Sequence, residues 1–305
     1  MSSPHISVLL DPILECFAKK SLNIFVDATL GAGGHAAAIL EAHSELKRFI
    51  GIDQDPEALT IAGKRLAPWR DKVELFRGNY SERIADLPDN IDGVLMDLGV
   101  SSMQLDRPEK GFSFMNDGPL DMRMDPSNPL SAEVVVNTWP EKDLARIIRD
   151  YGEEKRWRQA ARAIVNGRKE KPITTTRQLV DLLRPVLYNP KKSIHPVTLV
   201  FQALRICVND ELGVLERSLP KLVDHLAPGG LLAVITFHSL EDRIVKNFFR
   251  FEASDKYDTS GIAGVFRDKE PRVLPVTRKP ITANEQEIAE NPRSRSAKLR
   301  IVEKL

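Results

Sequence analysis

The chain has 305 residues, enough for one large domain or two smaller ones, and its hydrophobic fraction of 42% suits a globular protein with a sizeable core. A net charge of +1 excludes a global basic field, so any nucleic-acid surface must be local. The two cysteines, Cys16 and Cys207, lie far apart with neither C-x-x-C nor metal spacing, which reads as two buried thiols in a reducing compartment.

The N-terminal residues lack the basic start and long apolar run of a signal peptide, and no apolar stretch approaches ~18 residues. A cytoplasmic protein without a membrane span is expected. Residues 5–20 begin with His5-Ile6-Ser7-Val8-Leu9-Leu10, and Pro12 then suits the first turn of a helix. Ile24-Phe25-Val26 reads as a buried strand ending at Asp27. Gly31, Gly33 and Gly34 follow, then the helix-forming run from Ala36 to Leu40. Strand, glycine turn, helix is the order of a nucleotide-cofactor loop, and Gly31 to Ala36 also fits G-x-G-x-x-G/A.

Residues 48–53 form a second strand ending in Asp53, and Asp55 with Pro56 starts a helix as N-cap and first residue. Residues 73–76 are a third strand, followed by Gly78-Asn79-Tyr80, and residues 93–97 a fourth, again ending in an acid, Asp97. Apolar strands alternating with helices indicate a parallel sheet covered on both faces. The pattern breaks between 106 and 195, where no convincing strand occurs. Helices are expected after Ser131, over 140–151 closed by Gly152, over 153–165 with Trp157, Ala161, Ile164 and Val165 on one side, and from Thr175 onward. This stretch reads as a helical insert of roughly 90 residues.

Sheet grammar then resumes. Residues 195–226 are expected to be helical, stopped by Ala227-Pro228-Gly229-Gly230. A fifth buried strand is expected over 231–236, an amphipathic helix over 240–251, a loop over 254–264, and last strands at 273–274 and 297–302. Residues 280–296 are polar and read as a loop.

Asp27, Asp53 and Asp97 stand at successive strand ends, where ligands bind in an open α/β sheet. Asp53 lies about 20 residues past the glycine loop, where a carboxylate can accept bonds from ribose hydroxyls. A nicotinamide dinucleotide needs room for pyrophosphate at the helix start. S-adenosylmethionine has no phosphate and needs acceptors for its ribose, adenine and amino acid ends, which acid-rich strand ends favour. The residues alone leave both open.

Residues 27–35, DATLGAGGH, resemble the first motif of class I methyltransferases. The runs DLGVSSMQLD (97–106), RPEKGFSFMNDGPLDMRMDP (107–126), HPVTLVFQALRICVNDEL (195–212), APGGLLAVITFHSLEDRIVK (227–246) and ENPRSRSAKLRI (290–301) resemble the bacterial 16S ribosomal RNA cytosine-N4 methyltransferases, the RsmH/MraW family. The blocks span nearly the whole chain. The resemblance implies an α/β, class I S-adenosylmethionine-dependent methyltransferase fold, Rossmann-like, with a mostly parallel seven-stranded sheet. The methyltransferase domain would comprise residues 1–105 and 196–305, and 106–195 would be an inserted all-helical, substrate-recognising domain. The activity implied is methylation of the exocyclic nitrogen of a cytidine in the decoding centre (P-site region) of 16S rRNA, within the small ribosomal subunit. A homodimer is compatible with the family.

The cofactor site implied is Gly33, Gly34, His35, Asp53, Tyr80 near the adenine, Asp97 and Gln104. Tyr80 stands where some members have phenylalanine, a change that keeps an aromatic contact. A cytosine amine is a poor nucleophile because its lone pair is delocalised, whereas a sulfonium methyl is already activated, so no metal is required. The enzyme must align nitrogen, carbon and sulfur. An acceptor on the amine would raise its electron density and take its proton, and a carboxylate is a natural partner for cytosine N4. Asp97 is the candidate. The chain lacks the N-P-P-Y type motif of many amino-methylating DNA enzymes, so a backbone carbonyl or the Phe237-His238-Ser239 turn stays open as the group facing the base.

RNA-contact candidates are Arg293 and Arg295 in the polar loop, His238, and the basic clusters Lys155, Arg156, Arg158 and Arg162, Arg168-Lys169, Lys191-Lys192, and Arg243 with Lys246. Phe112 or Phe237 could stack on a flipped base. The competing readings are a Rossmann dehydrogenase and a non-catalytic RNA-binding or assembly factor that keeps the cofactor fold.

Overall fold

A computed structural model describes residues 7–190, 195–258 and 266–305. His5-Ile6, the Lys191-Lys192 cluster and residues 259–264 of the expected loop lie outside the described residues. The chain forms two compact units, one of Met1–Gly99 with Leu212–Leu305 and one of Val100–Glu211.

The first unit opens with α1 (Leu10–Phe17), β1 (Ile24–Asp27), α2 (Gly34–Ala42), β2 (Arg48–Asp53), α3 (Pro56–Arg65), β3 (Val73–Arg77), α4 (Tyr80–Arg83) and β4 (Ile91–Asp97). The second unit holds α5 (Ser102–Asp106), α6 (Ala132–Thr138), α7 (Glu141–Asp150), α8 (Trp157–Glu170), α9 (Thr176–Leu187) and α10 (Thr198–Asn209). The chain returns through α11 (Glu211–His225) to β5 (Leu226–Thr236), α12 (Ser239–Glu252), the paired strands β6 (Lys256–Asp258) and β7 (Phe266–Asp268), then β8 (Val273–Pro275), β9 (Ile281–Thr282), α13 (Glu285–Glu290) and β10 (Lys298–Lys304).

The main sheet runs β3-β2-β1-β4-β5-β10-β8, with β9 on β10. Neighbours among the first five strands are parallel, and β10 is antiparallel to β5, β8 and β9. Seven strands lie along this path, and the two-residue β9 adds an eighth. Side chains alternate between faces as the two-residue strand period requires. Phe25, Phe49, Leu95, Ala233 and Ile235 pack with Ile13, Phe17, Ile39 and Leu40 of α1 and α2. Val26, Ile50, Met96, Leu232 and Val234 pack on the other face with Leu219, Leu222, Val245 and Phe249 of α11 and α12. Both faces are therefore buried, and the parallel strands read as continuous apolar runs.

Several boundaries differ from the sequence reading. Asp210 adopts a left-handed φ of 48°, which divides the expected 195–226 helix into α10 and α11. Leu226 already pairs with Ile91, so Ala227 to Gly230 form an irregular start to β5 rather than a loop before it. α8 begins at Trp157, because Glu153 is left-handed at φ 50° and the Glu154 carboxylate accepts the Arg156 N–H at 2.9 Å. Part of the expected 254–264 loop is strand β6, and the polar 280–296 segment holds β9, α13 and a 3-10 turn at Pro292–Ser296.

The second unit is helical and has its own core, built from Leu144, Ile148, Ile164, Leu179, Leu183 and their neighbours. α10 contributes Val200, Phe201, Leu204 and Val208 to that core, so the unit runs from Val100 to Glu211, beyond the 106–195 span read from sequence. Thr175 caps α9 with a full capping box to Gln178, as its S/T-x-x-Q spacing implies. The GPLDMRMDP stretch is a clasp. The Asp121 carboxylate accepts from Nε of Arg123 at 2.9 Å, and the other end of that guanidinium donates to Pro126 O and Asn128 O at 3.0 and 2.8 Å.

Candidate active site at the strand tips

Parallel pairing brings the carboxyl ends of β1, β2, β4 and β5 to one edge of the sheet, with Asp27, Asp53 and Asp97 on three of them. The turn after β1 needs its glycines. Gly31 and Gly33 have φ of 53° and 74°, and a Cβ on Gly34 would collide with Ser7 Oγ. Gly33 is the N-cap of α2, and having no side chain it supplies no side-chain cap to that helix.

Asp53 is tied into this turn. Its Oδ2 accepts the Gly31 N–H at 2.7 Å and its Oδ1 the Asp55 N–H at 2.8 Å. Burial pushes its carboxyl up to about 6, against the pull of the Asp55 and Gly31 N–H groups. Asp27 is more deeply enclosed. Burial raises it to about 7, the Thr29 N–H opposes this, and the Asp53 charge adds to it. Asp97 is raised well above the usual carboxylate range by burial first, then by the charges of Asp27 and Glu241. About a quarter of its side chain, 26%, reaches solvent, yet Oδ1 is sealed and, among the described residues, has no hydrogen-bond partner. Its backbone N–H donates to Thr29 Oγ1 at 2.6 Å, which locks the β4 tip to the turn after β1.

His35, in the first turn of α2, is buried. Nε2 bonds Val8 O at 2.9 Å, and Nδ1 lies 3.8 Å from Asp97 Oδ2. The ring therefore anchors the N-terminal segment and faces Asp97. Tyr80 opens α4, packs half-buried against the apolar layer under α11 and α12, and follows Asn79, which caps that helix. Gly78 N donates to Asp53 O, so the Tyr80 turn starts at the β2 tip.

His238 follows β5 and is the N-cap of α12. Glu241, missed by the sequence reading, is only 2% exposed. Its Oε2 accepts the Phe237 N–H at 2.8 Å and the His238 N–H at 3.3 Å, and the Glu241 N–H donates to His238 Nδ1 at 3.5 Å. His238 Nε2 sits 3.0 Å from Glu241 Oε1 but outside hydrogen-bond geometry. The spacing of a capping box, with histidine in place of serine or threonine, was the available signal. Arg293 and Arg295 are exposed on the 3-10 turn that leads into β10. Because Lys298 pairs with Thr236, that turn enters at the same edge of the sheet as the strand tips.

Gln104 belongs to the second unit. Its side chain completes the capping box of α5, with Oε1 accepting the Ser101 N–H at 3.0 Å. Several basic candidates are spent on structure. Arg156 Nη1 donates to Val186 O and Tyr188 O, and Arg168 Nη1 to Val136 O and Trp139 O. Arg158 instead lies over the Trp157 ring at 3.9 Å, on an exposed face. Phe112 is core, whereas Phe237 is half-buried with its ring beside Gly99. Burial holds the Cys16 and Cys207 thiols at about 12 and about 11, which keeps them unreactive.

The model of the MraW methylase family matches residues 2–305. A ribosomal RNA small subunit methyltransferase H from Protochlamydia amoebophila (strain UWE25) is 59% identical over 99% of this chain and 98% of its own length. One of that same name from Symbiobacterium thermophilum is 49% identical, covering 100% and 98%. Among solved structures, an rRNA methylase from Streptococcus thermophilus aligns over 99% of both chains with a TM-score of 0.45 and 12% identity.

Proposed function

The chain belongs to the MraW methylase family, and from that premise we propose that it transfers a methyl group from S-adenosylmethionine to the N4 amine of one cytidine in the decoding centre of 16S ribosomal RNA. The coarser part, a methyltransferase acting on small-subunit rRNA, follows from relatives that carry that name along the full chain. The cytidine and its nitrogen rest on the chemistry of the strand tips.

The observation that supports the reading is Asp97, with one sealed carboxylate oxygen that has no partner among the described residues, beside a glycine turn at the carboxyl edge of a parallel sheet. The residues present fit the cofactor. Asp53 offers acceptors at the β2 tip for a ribose, Tyr80 an aromatic surface, and the turn at Gly33 and Gly34 a close backbone approach. The three carboxylates supply negative potential for a cation. When bound, the cofactor supplies a methyl carbon already activated on a sulfonium. Asp97 then orients the cytosine amine by accepting one N–H and takes the proton as the N–C bond forms and the C–S bond breaks. Its elevated proton affinity makes it a stronger base than an exposed aspartate. Excluding water and holding nitrogen, carbon and sulfur in line is the remaining work, and alignment of this kind contributes about 7–11 kcal/mol at most.

In this reading His238, Arg293 and Arg295 approach the RNA from the same edge, and the second unit contributes substrate recognition, with Arg158 on its exposed face. The protein acts in the cytoplasm; among the described residues, no helix is long and apolar enough to cross a membrane. A homodimer belongs to the proposal and is tested by sedimentation. The deciding experiment incubates the protein with labelled S-adenosylmethionine and small subunits from cells lacking it, then maps the methylated nucleoside by mass spectrometry. N4-methylcytidine at one decoding-centre position is the expected product. A methyl group on another base or on the ribose would overturn the assignment.

A further inference from the structure

Leu9 is held at φ 53° and ψ 37°, in the left-handed region that a leucine seldom occupies. Such strain persists only where the surroundings over-determine it. Here three contacts do so. The side chain is fully buried in the layer it shares with Ile13, Phe17 and Ile39, and the carbonyl accepts the Ile13 N–H at 3.1 Å. The Leu9 N–H donates to Oε1 of Glu287 in α13 at 2.7 Å. Glu287 is itself fixed on both sides, its N–H on Asn284 Oδ1 at 2.8 Å and its carbonyl on the Asn291 N–H at 2.7 Å.

The strained residue ends a strap, Ser7-Val8-Leu9, that lies on the glycine turn. Ser7 Oγ occupies the space a Cβ on Gly34 would need, and Val8 O bonds His35 Nε2 at 2.9 Å. A carbonyl only accepts, so Nε2 carries the hydrogen, and Nδ1 is the nitrogen that faces Asp97 Oδ2 at 3.8 Å. Val8 O and the Leu9 N–H belong to one planar peptide unit and point to opposite sides of it. Glu287 thus pins one side of the plane and His35 takes the other. Half a turn of this plane would carry φ of Leu9 from the left-handed to the extended region, relieving the strain, and would swing Val8 O away from the ring.

Resting on the reading that places S-adenosylmethionine at these strand tips, we propose that Glu287 is a positioning residue for that cofactor, holding the Val8-Leu9 peptide against the flip its strain favours and so fixing the His35 ring.

Glu287→Ala removes the acceptor, and Glu287→Gln keeps an oxygen acceptor without the charge. Both leave the backbone bonds of residue 287, and with them the turn bearing Arg293 and Arg295. S-adenosylmethionine Kd is measured by calorimetry on the full chain, and the His35 Nε2 proton is followed by NMR in the cofactor-free protein. In the wild type and in Glu287→Gln that proton should be protected from exchange with water, with Kd values within about twofold of each other. In Glu287→Ala the proton should be lost to exchange and Kd should rise roughly tenfold. In a His35→Ala background, adding Glu287→Ala should change Kd by less than about twofold, because the effect runs through the ring.

A bond that only stabilises α1 would lower the melting temperature of Glu287→Ala while leaving the ring proton protected and Kd unmoved, and that result overturns the proposal. A tenfold loss that persists in the His35→Ala background overturns it equally. A wild-type chain that binds no S-adenosylmethionine would remove the strand-tip reading and the proposal with it, whereas a wild type that binds, beside an unmoved Glu287→Ala, removes only the role of Glu287.

Discussion

Three acids at neighbouring strand tips are costly unless a cation joins them. Asp27 and Asp53, raised to about 7 and about 6, bind protons near neutrality in the cofactor-free protein. Burial is the main cause, and their mutual charge adds to it at Asp27. A sulfonium cation and an ammonium group favour the ionised forms, so binding should expel protons. Titration calorimetry in buffers of differing ionisation enthalpy should show net release near pH 6.5, and affinity should rise between about pH 6 and 7.5. The same shifts set a stability slope. An acid whose folded value lies above its unfolded 3.8 stabilises most below that value, and the contribution is lost as pH rises through the folded value. Thermal stability of the cofactor-free protein should therefore fall between about pH 5 and 7.5, and less so in Asp27→Asn. Asp53 has a double duty, holding Gly31 N and offering acceptors to a ribose. Asp53→Ala should weaken S-adenosylmethionine binding by roughly tenfold to a hundredfold, the equivalent of about 1.5–3 kcal/mol for bonds to a charged group. Unchanged affinity by calorimetry would remove Asp53 from the site.

Among elements, the glycine turn and α2 were legible because the requirement is local: positive φ at Gly31 and Gly33 strains any other residue, and a Cβ on Gly34 meets the Ser7 hydroxyl. Asp55 with Pro56, and Thr175 with Gln178, were equally readable, since capping chemistry is confined to four neighbouring positions. The break between α10 and α11 was not readable. It depends on a left-handed Asp210 inside an apolar pattern that continues on both sides, and periodicity does not register one reversed dihedral. Glu241 was hidden for a related reason, because histidine at the N-cap disguised the box. Not every glycine here is required. Gly63 lies within α3, and a Cβ there would meet Leu75 Cδ1 at an ordinary 3.7 Å. Gly63→Ala should therefore stabilise the protein by about 0.5–1 kcal/mol in urea unfolding and leave methylation intact, through the propensity difference alone. Gly34→Ala should do the reverse, losing stability and cofactor affinity together, since its Cβ must displace Ser7 at the start of the helix.

At the scale of the whole molecule, the alternation of strands and helices announced the parallel sheet, and its interruption announced a helical unit. The edges of that unit were less visible. A helix declares its apolar face in sequence but not which core receives it, and α10 spends Val200, Phe201, Leu204 and Val208 on the helical core. The assignment has a direct consequence. Residues 100–211 enclose a core of Leu, Ile, Val and Phe with its own caps and clasp, and a segment of roughly 110 residues is long enough to fold alone. Within it, Asn209 on α10 holds the clasp loop, accepting the Met124 N–H at 2.9 Å and donating to Met122 O at 2.8 Å. A fragment of residues 100–211 should therefore unfold cooperatively with helical circular dichroism, whereas one of residues 106–195 lacks α10 and that tie. The shorter fragment should bind a hydrophobic dye and show no sharp thermal transition. Equal cooperativity in the two fragments would mean that α10 adds nothing to the helical core, and the boundary would return to residue 195.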